Sequence, residues 1–215
     1  MRSRWFAPIC IALMVIFGIG VYDLLPEQVP MHWNIAGEVD GYGDRWLALL
    51  FGPVVCSVLW LLALILPKLL PRLSIASQSH PVIYFFLNTT IFFQCVVHVV
   101  ILIYALGWQI SVAWILIMVS GLLLALLGNE CSRLPPNWVV GIRTPWTLSN
   151  SEVWRRTNRV GGRLLVMTGL ATVLASLFFP LNLALLMLVA TSISTAVFLI
   201  WYSYDLSRQQ PKPKS

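Results

Sequence analysis

Charged side chains are scarce in this sequence. Asp, Glu, Lys and Arg together make up 10% of its 215 residues, whereas hydrophobic residues make up 59%. An ordinary soluble domain has about a quarter charged residues, because its surface has to be hydrated. The small number of charges therefore excludes a water-exposed globular domain and indicates that lipid covers most of the protein surface.

Cysteine and histidine are also scarce, and so are acidic residues within the long apolar runs. The four cysteines lie in or next to apolar runs, at spacings that fit neither metal ligands nor a redox pair, and there are three histidines. No Asp or Glu falls inside a long apolar run away from its ends, which disfavours a proton-driven pump. We expect no metal centre and no cofactor.

Long apolar runs are what the sequence has instead. A helix needs about 20 apolar residues to cross the hydrocarbon core of a bilayer, and six stretches have this length or come close to it. They predict an all-α fold, a six-helix transmembrane bundle, with helices over residues 6–24, 46–66, 82–106, 111–127, 163–179 and 183–201.

The distribution of basic residues predicts the orientation of this bundle. Lys and Arg accumulate on the cytoplasmic side of membrane proteins. If both termini are cytoplasmic, only Arg45 of the fourteen Lys and Arg residues falls in an outer segment, whereas five of the eight acids fall in or beside the first outer loop. Topology thus explains the net charge of +6, and we expect no direct binding of nucleic acid.

Two connections are too long for simple hairpins: an outer loop over residues 25–45 and an inner loop over residues 128–162. The outer loop combines prolines, which favour extended backbone, with glycines, which permit tight turns. Three interpretations are open: a folded cap, a recognition surface for an extracellular peptide or small amphiphile, and a metal site that uses His32 with an acid. The predicted ligand-binding residues are His32, Trp33, Asn34, Gly37 and Asp40.

The inner loop contains its own helix signals. Ser149 and Glu152 form the pattern of a capping box, which predicts a helix that begins near Asn150. On that helix we expect Trp154 in the headgroup layer, with arginines that reach lipid phosphates, as in an interfacial helix. The glycine pair at 161–162 then predicts a bend into the fifth transmembrane helix.

The arginines of the inner loop have two interpretations. They hold the loop in the cytoplasm by their charge alone, or they belong to an ordered surface that binds lipid headgroups or a cytoplasmic partner. The residues predicted for such a surface are Asn137, Arg143, Thr144, Trp146, Thr147, Ser149, Asn150, Trp154 and Arg159.

The third predicted helix carries polar side chains at a spacing of four residues. Gln94 and His98 therefore share one face with Thr90, and polar groups inside a membrane usually face other helices or a wet cavity. Hydrogen bonds between helices are one explanation. The alternative is a ligand or proton path in a closed polar cavity that joins Gln94 and His98 to Asn137 and Arg143.

Two segments resemble known bacterial families. The outer-loop pattern PxHWNxxGxxDG resembles a short domain of unknown function, and the inner segment PNWVVGIRTPWTLSNSEVWRRTNR resembles the signature of the SdpI/YfhL immunity protein family. One departure is Asn158, where that family commonly has histidine; asparagine keeps a hydrogen bond but cannot titrate near neutral pH. The resemblance implies a multi-pass protein of the bacterial cytoplasmic (inner) membrane. The best-known member of that family protects its producer from a secreted toxic peptide and signals by holding a transcriptional repressor at the membrane.

We therefore expect a non-enzymatic receptor or immunity protein with two regions, a helix pair with the outer loop over residues 1–66 and a four-helix region over residues 67–215. Its expected partners are membrane lipids, an extracellular antimicrobial peptide or envelope signal, and a cytoplasmic transcriptional repressor. Two other classes stay open: a membrane-embedded enzyme or small-solute transporter built on the polar cavity, and a structural or assembly factor without a ligand in either loop.

Overall fold

The computed structural model describes residues 3–69 and 80–209, so the predicted loop residue Arg72 and the tail residues Lys212 and Lys214 lie outside the described residues. The elements are, in chain order, α1 (Phe6–Val21), a short 3-10 helix (Tyr22–Leu24), β1 (Gln28–Trp33), β2 (Val39–Asp44), α2 (Arg45–Leu69), α3 (His80–Ala105), α4 (Val112–Cys131), α5 (Pro145–Ser149), α6 (Ser151–Phe178) and α7 (Leu181–Gln209).

Six helices in the described part are long and apolar enough to cross a membrane, namely α1 with its 3-10 turn, α2, α3, α4, α6 and α7. The prediction of a six-helix membrane bundle is therefore confirmed. Large apolar side chains such as Ile16 and Phe178 point outward along these helices, as lipid-facing residues do. α6 and α7 are longer than their apolar cores, because polar residues extend α6 at its start and α7 at its end.

The long helices pack in two groups of three. α1, α2 and α3 contact one another and enclose Met14, Cys56 and Ile91. α4, α6 and α7 form the second group around Ile117, Ala175 and the N-terminal part of α7. Contacts between α3 and α4 join the two groups. The predicted division of the chain at residue 66 stays a prediction.

Glycines bring α4 and α6 into direct backbone contact. A Cβ at Gly128 would lie 2.7 Å from the carbonyl oxygen of Gly162, and a Cβ at Gly162 would lie 2.6 Å from that of Gly128. Gly121 and Gly169 meet in the same way two helical turns away. Membrane helices gain no hydrophobic free energy by associating in lipid, so close van der Waals contact through small residues stabilises such a pair.

The outer loop contains a β-hairpin that the sequence analysis did not predict. β1 and β2 pair antiparallel, with Gln28 opposite Asp44 at the open end and Trp33 opposite Val39 near the turn. The second strand, VDGYGD, consists largely of glycine and aspartate, which are uncommon in strands, so it carries no β signal. What fixes the hairpin is its anchor, the fully buried Val29, which packs with residues of α2 and α3.

α6 is one continuous helix, so two predictions about the inner loop are wrong. The chain does not bend at Gly161 and Gly162, because both glycines are used for close packing, the first against Ile142 and the second against Gly128. The first turns of α6 do not form an interfacial helix either. Trp154 is only 1% exposed and therefore lies inside the protein rather than in the headgroup layer.

The predicted start of this helix near Asn150 is confirmed, but the capping residue is different. The side-chain oxygen of Asn150 accepts the backbone N–H groups of Glu152 and Val153. Ser149 is instead the last residue of α5, and its hydroxyl donates to the carbonyl oxygen of Trp146. The short helix α5, which the sequence analysis did not predict, therefore moves the cap by one residue.

Gly169→Ala is expected to lower the free energy of unfolding by about 1–3 kcal/mol, because the new methyl group would overlap the carbonyl group of Gly121. Thermal unfolding of the purified protein in a neutral detergent measures the change. The matched control is Gly20→Ala in α1, where a Cβ meets no atom within 4 Å and stability should be kept or raised. Equal unfolding temperatures for the two variants would contradict the close helix contact.

Candidate functional site

The turn of the hairpin is built by Asn34 and Gly37. The side-chain oxygen of Asn34 accepts the backbone N–H groups of Ala36 at 2.9 Å and Glu38 at 3.1 Å. Gly37 has a φ of +83°, which disfavours any side chain, and a Cβ there would lie 2.7 Å from Cδ2 of Leu181. The turn therefore rests against the first residue of α7.

His32 and Asp40 form a pair on the exposed face of the hairpin. Nδ1 of His32 lies 2.5 Å from Oδ1 of Asp40, a distance at which the imidazole N–H donates to the carboxylate. Glu38 and Asp44 are exposed on the same hairpin. This end of the bundle thus presents several carboxylates to water, as expected from the composition of the outer loop.

A groove of about 370 Å³ lies between the hairpin and the long helices. Residues 31–35 of the hairpin line one side, and apolar side chains of α2, α3, α4 and α7 line the rest. Trp33 is held there by an edge-to-face contact with Tyr104, with ring centroids 5.7 Å apart. Gln94 adds an amide group to the wall, and Ile35, which the sequence analysis missed, is 70% exposed near the turn.

The metal interpretation of the outer loop gains no support. Within residues 3–69 and 80–209, no three His, Cys, Asp or Glu side chains lie close enough together to hold a metal ion. His32 has one carboxylate partner, whereas protein zinc sites use three or four protein ligands.

The alternative of a closed polar cavity between α3 and the inner loop loses its support, because its four residues have separate contacts in the described part of the chain. Gln94 lines the groove beside the hairpin, whereas His98 is buried beside Gly52 of α2. Asn137 and Arg143 bind backbone groups of the inner loop itself. Gln94 and His98 have different surroundings because residues four apart on a helix still differ by about 40° in direction and about 6 Å along the helix axis.

Asn158 ties the inner loop to α6. It is buried, and its side-chain oxygen accepts the N–H of Ile142 at 2.9 Å and the thiol of Cys131 at 3.4 Å, while its Nδ2 donates to the carbonyl oxygen of Trp154 at 3.1 Å. Gly141, at a φ of +110°, passes so close that a Cβ would lie 2.8 Å from the Asn158 amide oxygen. Asn158 is therefore a structural amide in this chain.

The loop satisfies its backbone groups with its own polar side chains. Thr144 and Thr147 form a reciprocal cap at the start of α5, and the Thr144 hydroxyl donates to Oγ of Ser203 in α7 at 3.0 Å. Asn137 accepts two backbone N–H groups of the loop. Since buried backbone groups are costly when they are unpaired, these contacts give the loop a defined shape.

Two of the three tryptophans of the loop region anchor it to the helices. Nε1 of Trp154 donates to the carbonyl oxygen of Leu134 at 2.7 Å, and the ring of Trp146 contacts Tyr204 of α7 with centroids 5.1 Å apart. Of the predicted partner- or lipid-binding residues, six are buried or half-buried and have contacts inside the loop or with its neighbouring helices: Asn137, Thr144, Trp146, Thr147, Asn150 and Trp154.

The other three predicted residues are exposed. Arg143 and Ser149 line a shallow cavity of about 450 Å³ together with Trp138, and Arg143 donates to the carbonyl oxygen of Trp138 at 2.5 Å. Trp138 is 54% exposed and was missed; the available signal was a large aromatic residue in a polar, proline-rich loop. Arg159 lies elsewhere, on the exposed side of α6.

Asn158→Ala is expected to lower the free energy of unfolding by about 1–3 kcal/mol, because the half-buried N–H of Ile142 loses its buried acceptor. Thermal unfolding in neutral detergent measures the loss. Asn182→Ala is the matched control, since Asn182 is exposed and its side chain contacts the N–H of the next residue. Unchanged stability of Asn158→Ala would show that this amide does not hold the loop.

Comparison with known proteins agrees with this layout. Residues 133–203 match the model of the SdpI/YfhL protein family, and residues 9–56 match that of a domain of unknown function (DUF1648). The chain is 25% identical over 199 residues to "Immunity protein SdpI" of Bacillus subtilis (strain 168), an alignment that covers 92% of both chains. No solved structure matches. With its six apolar helices and this similarity, the chain is a multi-pass bacterial membrane protein that resembles the SdpI/YfhL protein family over residues 133–203.

Proposed function

We propose that the protein is a non-enzymatic immunity protein that binds an extracellular antimicrobial peptide at the groove beside the hairpin. The observation that carries the proposal is the similarity to an immunity protein over 92% of both chains. So long an alignment includes both the region of the hairpin and the family region, rather than a single shared helix pair.

The groove and the hairpin fit a cationic, amphipathic peptide. The apolar walls accept apolar side chains, and Ile35 and Trp33 extend that surface to the hairpin turn. The exposed carboxylates of Glu38 and Asp40 lie on the same hairpin, where they attract and orient basic residues of the ligand. A peptide of this kind partitions into the headgroup layer, which is the depth at which a transmembrane bundle ends.

Removal of the peptide from the bilayer is the proposed mechanism of immunity. Antimicrobial peptides act by accumulating in the membrane interface. A peptide held in the groove is withdrawn from that pool, and no covalent step is required. The enzyme or transporter alternative relied on a polar cavity between α3 and the inner loop, and the residues proposed to line it have separate contacts in the described structure.

The second part of the proposal is that the inner loop holds a cytoplasmic regulator. The shallow cavity beside Trp138 and Arg143 offers an exposed indole and a guanidinium on a loop that is otherwise rigidly anchored. Aromatic and arginine side chains are common anchors of protein interfaces. Signalling also requires that peptide and regulator bind two arrangements of the bundle unequally.

Expression of the protein in a sensitive bacterium is expected to raise the minimal inhibitory concentration of a cationic amphipathic peptide. Trp33→Ala should remove most of that protection, about tenfold, since an aromatic interface anchor contributes more than about 1 kcal/mol. A panel of such peptides is tested, and membrane fractions are blotted to show equal amounts of protein.

Trp108→Ala is the matched control for this experiment. Trp108 is 66% exposed, follows α3 at the same end of the bundle and does not line the groove. Arg143→Ala, tested in parallel, should lose the transcriptional response to the peptide, because Arg143 belongs to the surface proposed for the regulator. Equal inhibitory concentrations with and without the protein, over the whole panel, would leave only a structural or assembly role.

A further inference from the structure

The arginines near the start of α6 fall into two classes. Arg155 and Arg156 both bind the carboxylate of Glu152, with nitrogen–oxygen distances of 2.7 and 2.6 Å. Arg159 and Arg163 pair with no carboxylate in the described part of the chain. They lie one turn apart on the same side of α6, so two positive charges without a counter-charge are placed side by side.

These two arginines line a cleft between α4 and α6. The cleft has a volume of about 630 Å³, and Asn129 and Ser132 of α4 form its opposite wall. Its floor is the backbone contact of Gly128 with Gly162, where the absence of side chains leaves room for a ligand. We call the set Asn129, Ser132, Arg159 and Arg163 the arginine cleft.

The depth of the arginine cleft matches the boundary between headgroups and hydrocarbon. Arg163 is the last charged residue of α6, and the helix is uncharged from there to Phe178. In α4, Asn129 is the first strongly polar residue after a long apolar run. Val166 and Met167 continue the cleft towards the apolar side, and Met167 is 65% exposed. The cleft therefore has a polar part at the arginines and an apolar part at Val166 and Met167.

We propose that the arginine cleft binds the phosphate group of an anionic phospholipid, whose acyl chain lies along Val166 and Met167. Arginine binds phosphate oxygens through two parallel N–H groups, and the amide of Asn129 and the hydroxyl of Ser132 supply further donors. Basic pockets between transmembrane helices at the predicted cytoplasmic side suit such headgroups. This binding site does not depend on peptide immunity.

The chemistry of the arginine cleft favours an anionic lipid over two other phosphate compounds. A zwitterionic phospholipid brings its own cation, which the two unpaired arginines repel. A free phosphate ion would gain the same polar contacts but would leave the apolar wall at Val166 and Met167 uncovered. Anionic headgroup and acyl chain together fill both parts of the cleft.

The test measures binding of a fluorescent phosphatidylglycerol to the purified full-length protein in neutral detergent. Arg159→Gln and Arg163→Gln are each expected to weaken binding about fivefold, the effect of one basic residue near an anionic lipid, and the double variant more. The matched control is Arg156→Gln, which removes the same charge from the same helix at an arginine already bound by Glu152. It should bind as the native protein does.

Competition distinguishes the lipid from other anions. Unlabelled phosphatidylglycerol should displace the probe, whereas phosphatidylcholine and inorganic phosphate at equal concentration should not. Equal losses in Arg156→Gln and Arg163→Gln would overturn the proposal, because general surface charge would then explain binding; displacement by inorganic phosphate would overturn it too. If the double variant does not fold, the single variants decide the outcome. Each arginine is exposed, and its replacement leaves no carboxylate of the described residues without a partner.

Discussion

The backbone contact between α4 and α6 is the constraint on which the second half of the protein depends. Gly128 meets Gly162, and Gly121 meets Gly169, so the two helices lie closer together than any side chain would allow. This approach places Cys131 beside Asn158, where the thiol and the inner loop share one amide. Gly128 and Gly162, which have no side chains, also form the floor of the arginine cleft. A packing requirement of lipid-embedded helices thus shapes both the loop and the anion site.

The two ends of the bundle differ in how their polar groups are used. At the hairpin end, carboxylates are exposed and the adjoining groove is apolar. At the other end, most polar side chains of the inner loop bind backbone groups. The exposed groups there include Trp138 with Arg143 beside it, and Arg159 and Arg163 on α6. This asymmetry supports a peptide ligand at one end, and a regulator and lipid at the other, with the helices as the connection between them.

The sequence predicted what is set by composition and missed what is set by tertiary contact. Six apolar runs and the helix start near Asn150 follow from hydrophobicity and capping, which act locally. The hairpin could not be predicted, because the strand VDGYGD is stabilised by its partner and by the buried Val29 rather than by its own propensity. The glycine pair at 161–162 likewise indicated a bend, since only the position of α4 shows that glycine is needed there for contact.

Site-specific photo-crosslinking tests the central claim, that a peptide binds in the groove beside the hairpin. A photoreactive amino acid replaces Ile35 at the groove or Trp108 outside it, and cells are illuminated after addition of a cationic amphipathic peptide against which the protein protects. The account predicts a covalent peptide adduct from position 35 and none from position 108. Adducts of equal yield at both positions, or adducts at position 108 alone, would contradict it.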